Sequence, residues 1–124
     1  MIEVKRDFSN ESKLTRYSKK HPAETASCFR NLGRLLAALD EGLTLQQCSF
    51  GFFRSEGHDV YRIAQTGIAN AHETRLYIYV KITKNDVQLL TIGDKDSQAS
   101  DIEWCHSIAR KIQGANTDEK KQQQ

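Results

Sequence analysis

The sequence predicts an α+β domain: a small antiparallel sheet of three to five strands, with an N-terminal helical hairpin and a C-terminal helix packed on one of its faces. Three observations predict it. In residues 75–82, RLYIYVKI, the side chains Leu76, Ile78, Val80 and Ile82 alternate with Arg75, Tyr77, Tyr79 and Lys81, the period-two pattern of a strand with one dry face and one polar, cationic face. A turn-forming stretch, residues 83–86, then leads into a second apolar run at 87–92 that Gly93 and Asp94 end, which makes a hairpin. Cys28, Phe29, Leu32, Leu35, Leu36 and Leu39 fall at helical spacing between Pro22, suited to a first helical turn, and Gly42, suited to a stop.

The remaining elements follow in chain order. Residues 1–8 read as a short edge strand, with Ile2 and Val4 on one face and Glu3 and Lys5 on the other. Ser9 or Asn10 offers an N-cap to a basic helix with a thin stripe of Leu14 and Tyr17, ending before Pro22. Its Lys13, Arg16, Lys19, Lys20 and His21 form either a solvated face or a contact surface for RNA or an acidic partner. Residues 43–56, with Phe50, Phe52 and Phe53 around Gly51, fit a bulged strand or an extended loop. Residues 59–65, DVYRIAQ, form a strand with Arg62 at its middle, and 66–73 a loop that ends near His72. Ser100 with Glu103 resembles a capping box for a last helix whose inward stripe is Ile102, Cys105, Ala109 and Ile112 and which Gly114 terminates. Residues 1–114 are thus expected to be one domain, and 115–124, which lack a large apolar side chain, a disordered polar tail. The expected sheet has helices on one face and leaves its other face open to water as a binding surface.

Composition narrows the function classes. The chain has 124 residues, enough for one core, and its 18 basic and 16 acidic side chains leave a net charge of only +2, so any case for nucleic acid rests on where the cations sit. The charged start and the lack of a long apolar run predict a cytoplasmic protein with no membrane association. Cys28, Cys48 and Cys105 are odd in number and lack CxxC spacing, which speaks for reduced packing residues. His21, His58, His72 and His106 are scattered, with no HExxH motif, so neither a metal nor another cofactor is expected. No nucleophile elbow or phosphate-cradling glycine loop is present in the sequence.

What remains is a set of cations on strands, Arg62, Arg75, Lys81 and Lys95, with Tyr77 and Tyr79 between them. Cations held on rigid strands can bind a phosphodiester and stabilise the charge that builds as a 2′-hydroxyl attacks the neighbouring phosphorus. The plainer reading pairs Arg62 and Arg75 with carboxylates such as Asp59 or Glu73, contacts worth about 0–1 kcal/mol at a surface.

The string TRLYIYVKI, followed by DVQLLTIGDKDS and preceded by VYRI, resembles the C-terminal half of the RelE/ParE superfamily of bacterial toxins over about residues 58–112. The resemblance implies a RelE-like fold and a toxin held inactive by a cognate antitoxin. It further implies cleavage of mRNA, often on the ribosome, or, in the ParE branch, inhibition of DNA gyrase without catalysis. By that resemblance Arg62, Arg75 and Lys95 take the family's basic positions, while Ala64 and Asp101 stand where a second lysine and a tyrosine would be. Proton transfer then falls to His58, His72, Tyr77 or Asp94, with His72 joining Arg62, Arg75 and Lys95 as catalytic candidates. Lys81, Tyr77, Tyr79 and His58 are the expected RNA-binding residues. Two further readings stay open: a degenerate homologue that only binds an antitoxin, and an unrelated α+β binding domain.

Overall fold

Period-two alternation and the apolar stripes of three helices decide the architecture. The structure, a computed structural model, describes residues 2–122, with side chains as far as residue 115. The elements run β1 (Val4–Lys5), α1 (Glu11–Lys20), α2 (Pro22–Asp40), β2 (Phe53–Gly57), β3 (Val60–Ala64), β4 (Thr74–Lys81), β5 (Asp86–Asp94) and α3 (Gln98–Gln122). The class is α+β, as expected. The five-stranded sheet has the order β1-β5-β4-β3-β2; it is antiparallel except where the two-residue β1 lies parallel to β5, so it is mixed rather than purely antiparallel.

Local chemistry accounts for most boundaries. The Asn10 side chain accepts from the Lys13 amide at 3.3 Å and caps α1. Pro22 occupies the first turn of α2, and Gly42 takes φ +95, the left-handed conformation that ends it. Ile82, read as the last dry residue of β4, has left the strand for a short 3₁₀ turn over Ile82–Lys84 and is 45% exposed. Phe29, expected in the α2 stripe, is 37% exposed on the edge of that helix. The start of α3 is organised by Ser97, three residues ahead of the anticipated Ser100: its N–H donates to Asp94 Oδ1 at 3.0 Å, and its hydroxyl donates to Asp101 Oδ2 at 2.7 Å.

At its other end α3 runs through Gly114 to Gln122. A glycine inside a helix costs about 1 kcal/mol relative to alanine, and Gly114 is not among the residues with positive φ, so the terminating conformation is unused. Of the segment expected to be a disordered tail, the backbone is helical as far as residue 122; Gln123 and Gln124 lie outside the described residues.

Both faces of the sheet are covered, and this overturns the expected open face. Leu76, Ile78 and Val80 of β4, with Ile63, Val87, Leu89 and Ile92, pack against Leu14, Cys28, Leu32, Leu35 and Leu39 of the two N-terminal helices. The alternate side chains Val60, Tyr77, Tyr79 and Leu90 pack against Cys105, Ile108, Ala109 and Ile112 of α3. A register shift opposite Tyr77 and Ile78 inserts one extra residue, Leu90, into β5, which is how Leu89 and Ile92, three residues apart, serve the same face. The physical reason for the correction is that α3 carries its own apolar stripe, while α1 and α2 already fill the first face.

Candidate functional site

The elements converge chemically at one end of the sheet, where β3 and β5 finish, β4 and α3 begin, and the α1–α2 corner turns. The register sets Thr74 beside Asp94 and Arg75 beside Gly93, so neighbouring residues of β4 serve two clusters on opposite faces.

On the face of α1 and α2, His72 Nε2 lies 3.0 Å from Asp94 Oδ2. Its ring stacks on that of His21, with centroids 4.3 Å apart and planes within 3°. The His72 amide donates to Glu24 Oε2 at 3.1 Å, and Tyr17 Oη lies 2.7 Å from Thr74 Oγ1. The bond from His72 holds the Asp94 carboxyl below the usual carboxylate range, while burial raises the Tyr17 phenol above its ordinary value. This cluster borders a shallow cleft of about 240 Å³ lined by Ala71, His72, Glu73, Asp94, Lys95 and Asp96. Lys95 is exposed there.

On the α3 face the polar groups are buried. The Arg75 side chain is 16% exposed, and its Nη2 lies 3.9 Å from Glu73 Oε2. Arg62 Nε lies 3.2 Å from Glu56 Oε1, both side chains being mostly buried. Asp101 is buried between Lys13 and Ser97, hydrogen-bonded to both. Gly93 makes room for it: a Cβ there would come within 1.9 Å of Asp101 Oδ2. Among the described residues, four buried side-chain polar atoms have no hydrogen-bond partner, namely Arg75 Nη1, Tyr77 Oη, Thr91 Oγ1 and Gln88 Oε1. All belong to residues that the register places on this face. Burial pushes the Tyr77 phenol well above its ordinary value, and the nearby Asp101 carboxylate adds to that.

The structure therefore sorts the expected site residues. It gathers His72, Lys95 and Asp94 at one cleft, with Arg75 entering the sheet three residues after His72. Arg62 sits in mid-sheet, across from Tyr77, and its carboxylate partner is Glu56 rather than Asp59. Tyr77 and Tyr79, expected to bind RNA from an open face, are 0% and 1% exposed beneath α3, because each ring is apolar enough to join that core. Lys81 and His58 lie at the opposite end of the sheet: Lys81 Nζ is 3.4 Å from Asp59 Oδ2, and His58 meets His106 edge-on at 4.8 Å. The face expected to stay open as a binding surface is the one that α3 covers. Sequence reasoning missed His21 as a partner of His72, and it missed Arg54, which is exposed and directly across from Arg62. Strand alternation around Phe53 was the signal for Arg54; nothing local signalled the histidine stack. Among the described residues, no three His, Cys, Asp or Glu side chains converge as a metal site.

Fold and site together define an α+β protein with a histidine–carboxylate cleft at one end of a mixed sheet. No family model, no curated protein and no solved structure matches the chain. No helix among the described residues is long and apolar enough to cross a membrane.

Proposed function

We propose that the chain is the toxin of a toxin–antitoxin pair, a RelE-like, metal-independent endoribonuclease that cleaves mRNA in the cytoplasm in association with the ribosome. The observation that supports this reading best is the His21–His72 stack, tied to Asp94 and bordering the cleft that holds Lys95. Two imidazoles side by side suit the two proton transfers of RNA cleavage. One takes the proton of a 2′-hydroxyl as its oxygen bonds to the adjacent phosphorus. The bond from phosphorus to the 5′-oxygen breaks, the other imidazole protonates that oxygen, and a 2′,3′-cyclic phosphate remains. Lys95 supplies positive charge where the phosphorane becomes more negative.

A second reading has its own support. Arg62 and Arg75 are largely buried, Arg62 is paired with Glu56, and Glu73, Asp94 and Asp96 make the cleft rich in carboxylates. Those features favour a toxin without catalysis, whose target is a protein such as DNA gyrase or whose only partner is the antitoxin. One experiment separates the two: purified protein is added to translating ribosomes, and mRNA ends are mapped for the wild type and for His72→Ala, Arg75→Ala, Lys95→Ala and Arg62→Ala. On the nuclease reading, His72→Ala lowers cleavage by about 10²–10⁴-fold with an unchanged circular-dichroism spectrum, and EDTA has no effect. Folded variants that all arrest growth as the wild type does, without new mRNA ends, would establish the second reading instead.

A further inference from the structure

The outer edge of β2 carries a self-complementary pattern. The Ala64 amide donates to the Phe52 carbonyl at 2.9 Å, which fixes the phase of the β2–β3 ladder. With the register Arg54↔Arg62 and Ser55↔Tyr61, Arg54 points its backbone groups at β3, and Ser55 points its N–H and C=O off the sheet. The Phe53 amide next to it is already taken by the Phe50 carbonyl at 3.1 Å. The side chains that flank Ser55 have opposite charge, Arg54 before it and Glu56 after it. Arg54 is exposed, faces the Arg62 cation across the ladder, and has no carboxylate partner among the described residues. Like charges directly opposite each other in a sheet repel unless an anion lies between them.

We infer that a second copy of this chain docks on the edge, β2 against β2 in antiparallel register about a two-fold axis at Ser55. An isologous contact requires a surface complementary to itself, and Arg-Ser-Glu read in opposite directions satisfies that requirement. Ser55 exchanges two backbone hydrogen bonds with its counterpart. Arg54 of each copy then stands opposite Glu56 of the other, so the carboxylate that binds Arg62 within one chain also answers the unpaired guanidinium of the next. The short strand and the irregularity between Ser55 and Gly57 limit the pairing to a few residues, so the dimer is held by these contacts rather than by a long ladder. RNA or another acidic polymer fits the edge less well, because Glu56 stands beside Arg54. This inference stands apart from the nuclease reading.

Sedimentation equilibrium of the full chain tests it. The wild type is expected to reach twice the 14.1 kDa of one chain as its concentration rises. Arg54→Glu should weaken the dimer on the order of 100-fold, since it sets carboxylate against carboxylate twice. Glu56→Arg should do the same with cations. An equal mixture of the two variants restores both ion pairs and should return a dimer, although each variant alone is monomeric. Because each must be folded to reassociate, the mixture also controls for misfolding. A wild type that stays monomeric up to about 1 mM, the weak limit of specific association, would overturn the proposal, as would a mixture that fails to recover the dimer while both variants show native spectra.

Discussion

The two faces of this sheet are made by the same strands, yet they do different work. The face toward α1 and α2 is aliphatic: Ile63, Leu76, Ile78, Val80, Val87, Leu89 and Ile92 are all at most 1% exposed, and none brings a polar side-chain atom with it. The face toward α3 is just as buried at its centre but mixes Tyr77, Tyr79, Thr91 and Gln88 with the guanidiniums of Arg62 and Arg75. All four unpartnered buried polar atoms belong to it. A buried polar atom without a partner costs roughly 1–3 kcal/mol, whereas a buried aliphatic side chain contributes about 1.5–3 kcal/mol of stability. The centre of the first face holds the fold, and the second buries polar groups at the expense of stability.

Adjacent residues of β4 put that difference to the test. Ile78→Ala opens a cavity in the dry face and should cost about 2–5 kcal/mol, seen as a lower denaturant midpoint with an unchanged slope. Tyr77→Phe, one residue away on the other face, removes a hydroxyl that has no partner, so the unfolding free energy should hold or rise by about 1 kcal/mol. A loss of 2 kcal/mol or more in Tyr77→Phe would mean that the phenol is well satisfied and that the two faces are energetically alike.

The strand pattern in the sequence already separated these faces, since Leu76, Ile78 and Val80 alternate with Tyr77 and Tyr79. What it did not reveal is that the second face is covered, because tyrosine and arginine have apolar bodies that pack as readily under a helix as they stand in water. The stripe of Cys105, Ile108, Ala109 and Ile112 needed a surface, and counting it against the face already claimed by α2 would have sent it to the other side. The site was legible only in part. His72, Asp94 and Lys95 lie near one another because the hairpin returns the chain to where β4 starts, and that was visible in the turn residues. The stack of His21 on His72 joins the α1–α2 corner to the loop before β4, a contact no periodicity records. The Arg62–Glu56 pair arises across the β2–β3 turn, whose irregularity was unassigned in the sequence.

The histidine cluster gives the cleft end of the sheet a pH signature that its aliphatic centre lacks. Asp94 accepts a bond from His72 and is held below the ordinary carboxylate value, so the folded state favours its ionised form. The sign follows: a carboxyl with a depressed folded value adds stability above its unfolded value of about 3.9, and that stability is lost as pH falls through the folded value. Denaturation midpoints measured downward from pH 5 should therefore fall less steeply for Asp94→Asn than for the wild type. Superimposable acid profiles would show that Asp94 does not contribute through this bond.

Cysteine reactivity compares the two faces without altering either one. Cys28 lies in the dry core, Cys105 lies between α3 and the polar face, both are 0% exposed, and burial pushes both thiols up to about 12. Only the thiolate attacks a disulfide reagent, so at pH 8 the native protein should leave both unlabelled, and reaction must wait for an opening that exposes the sulfur. If the four unpartnered polar atoms make the α3 interface the softer one, Cys105 is exposed by a local opening and Cys28 only by a more extensive one. In a Cys48→Ser background with low denaturant, Cys105 should then be labelled about tenfold faster than Cys28, the ratio that a gap of ~1.4 kcal/mol in opening free energy produces. Mass spectrometry of the labelled peptides reads the two rates in one sample. Equal rates would mean that both faces open in the same cooperative event, and the contrast between them would then be one of chemistry alone.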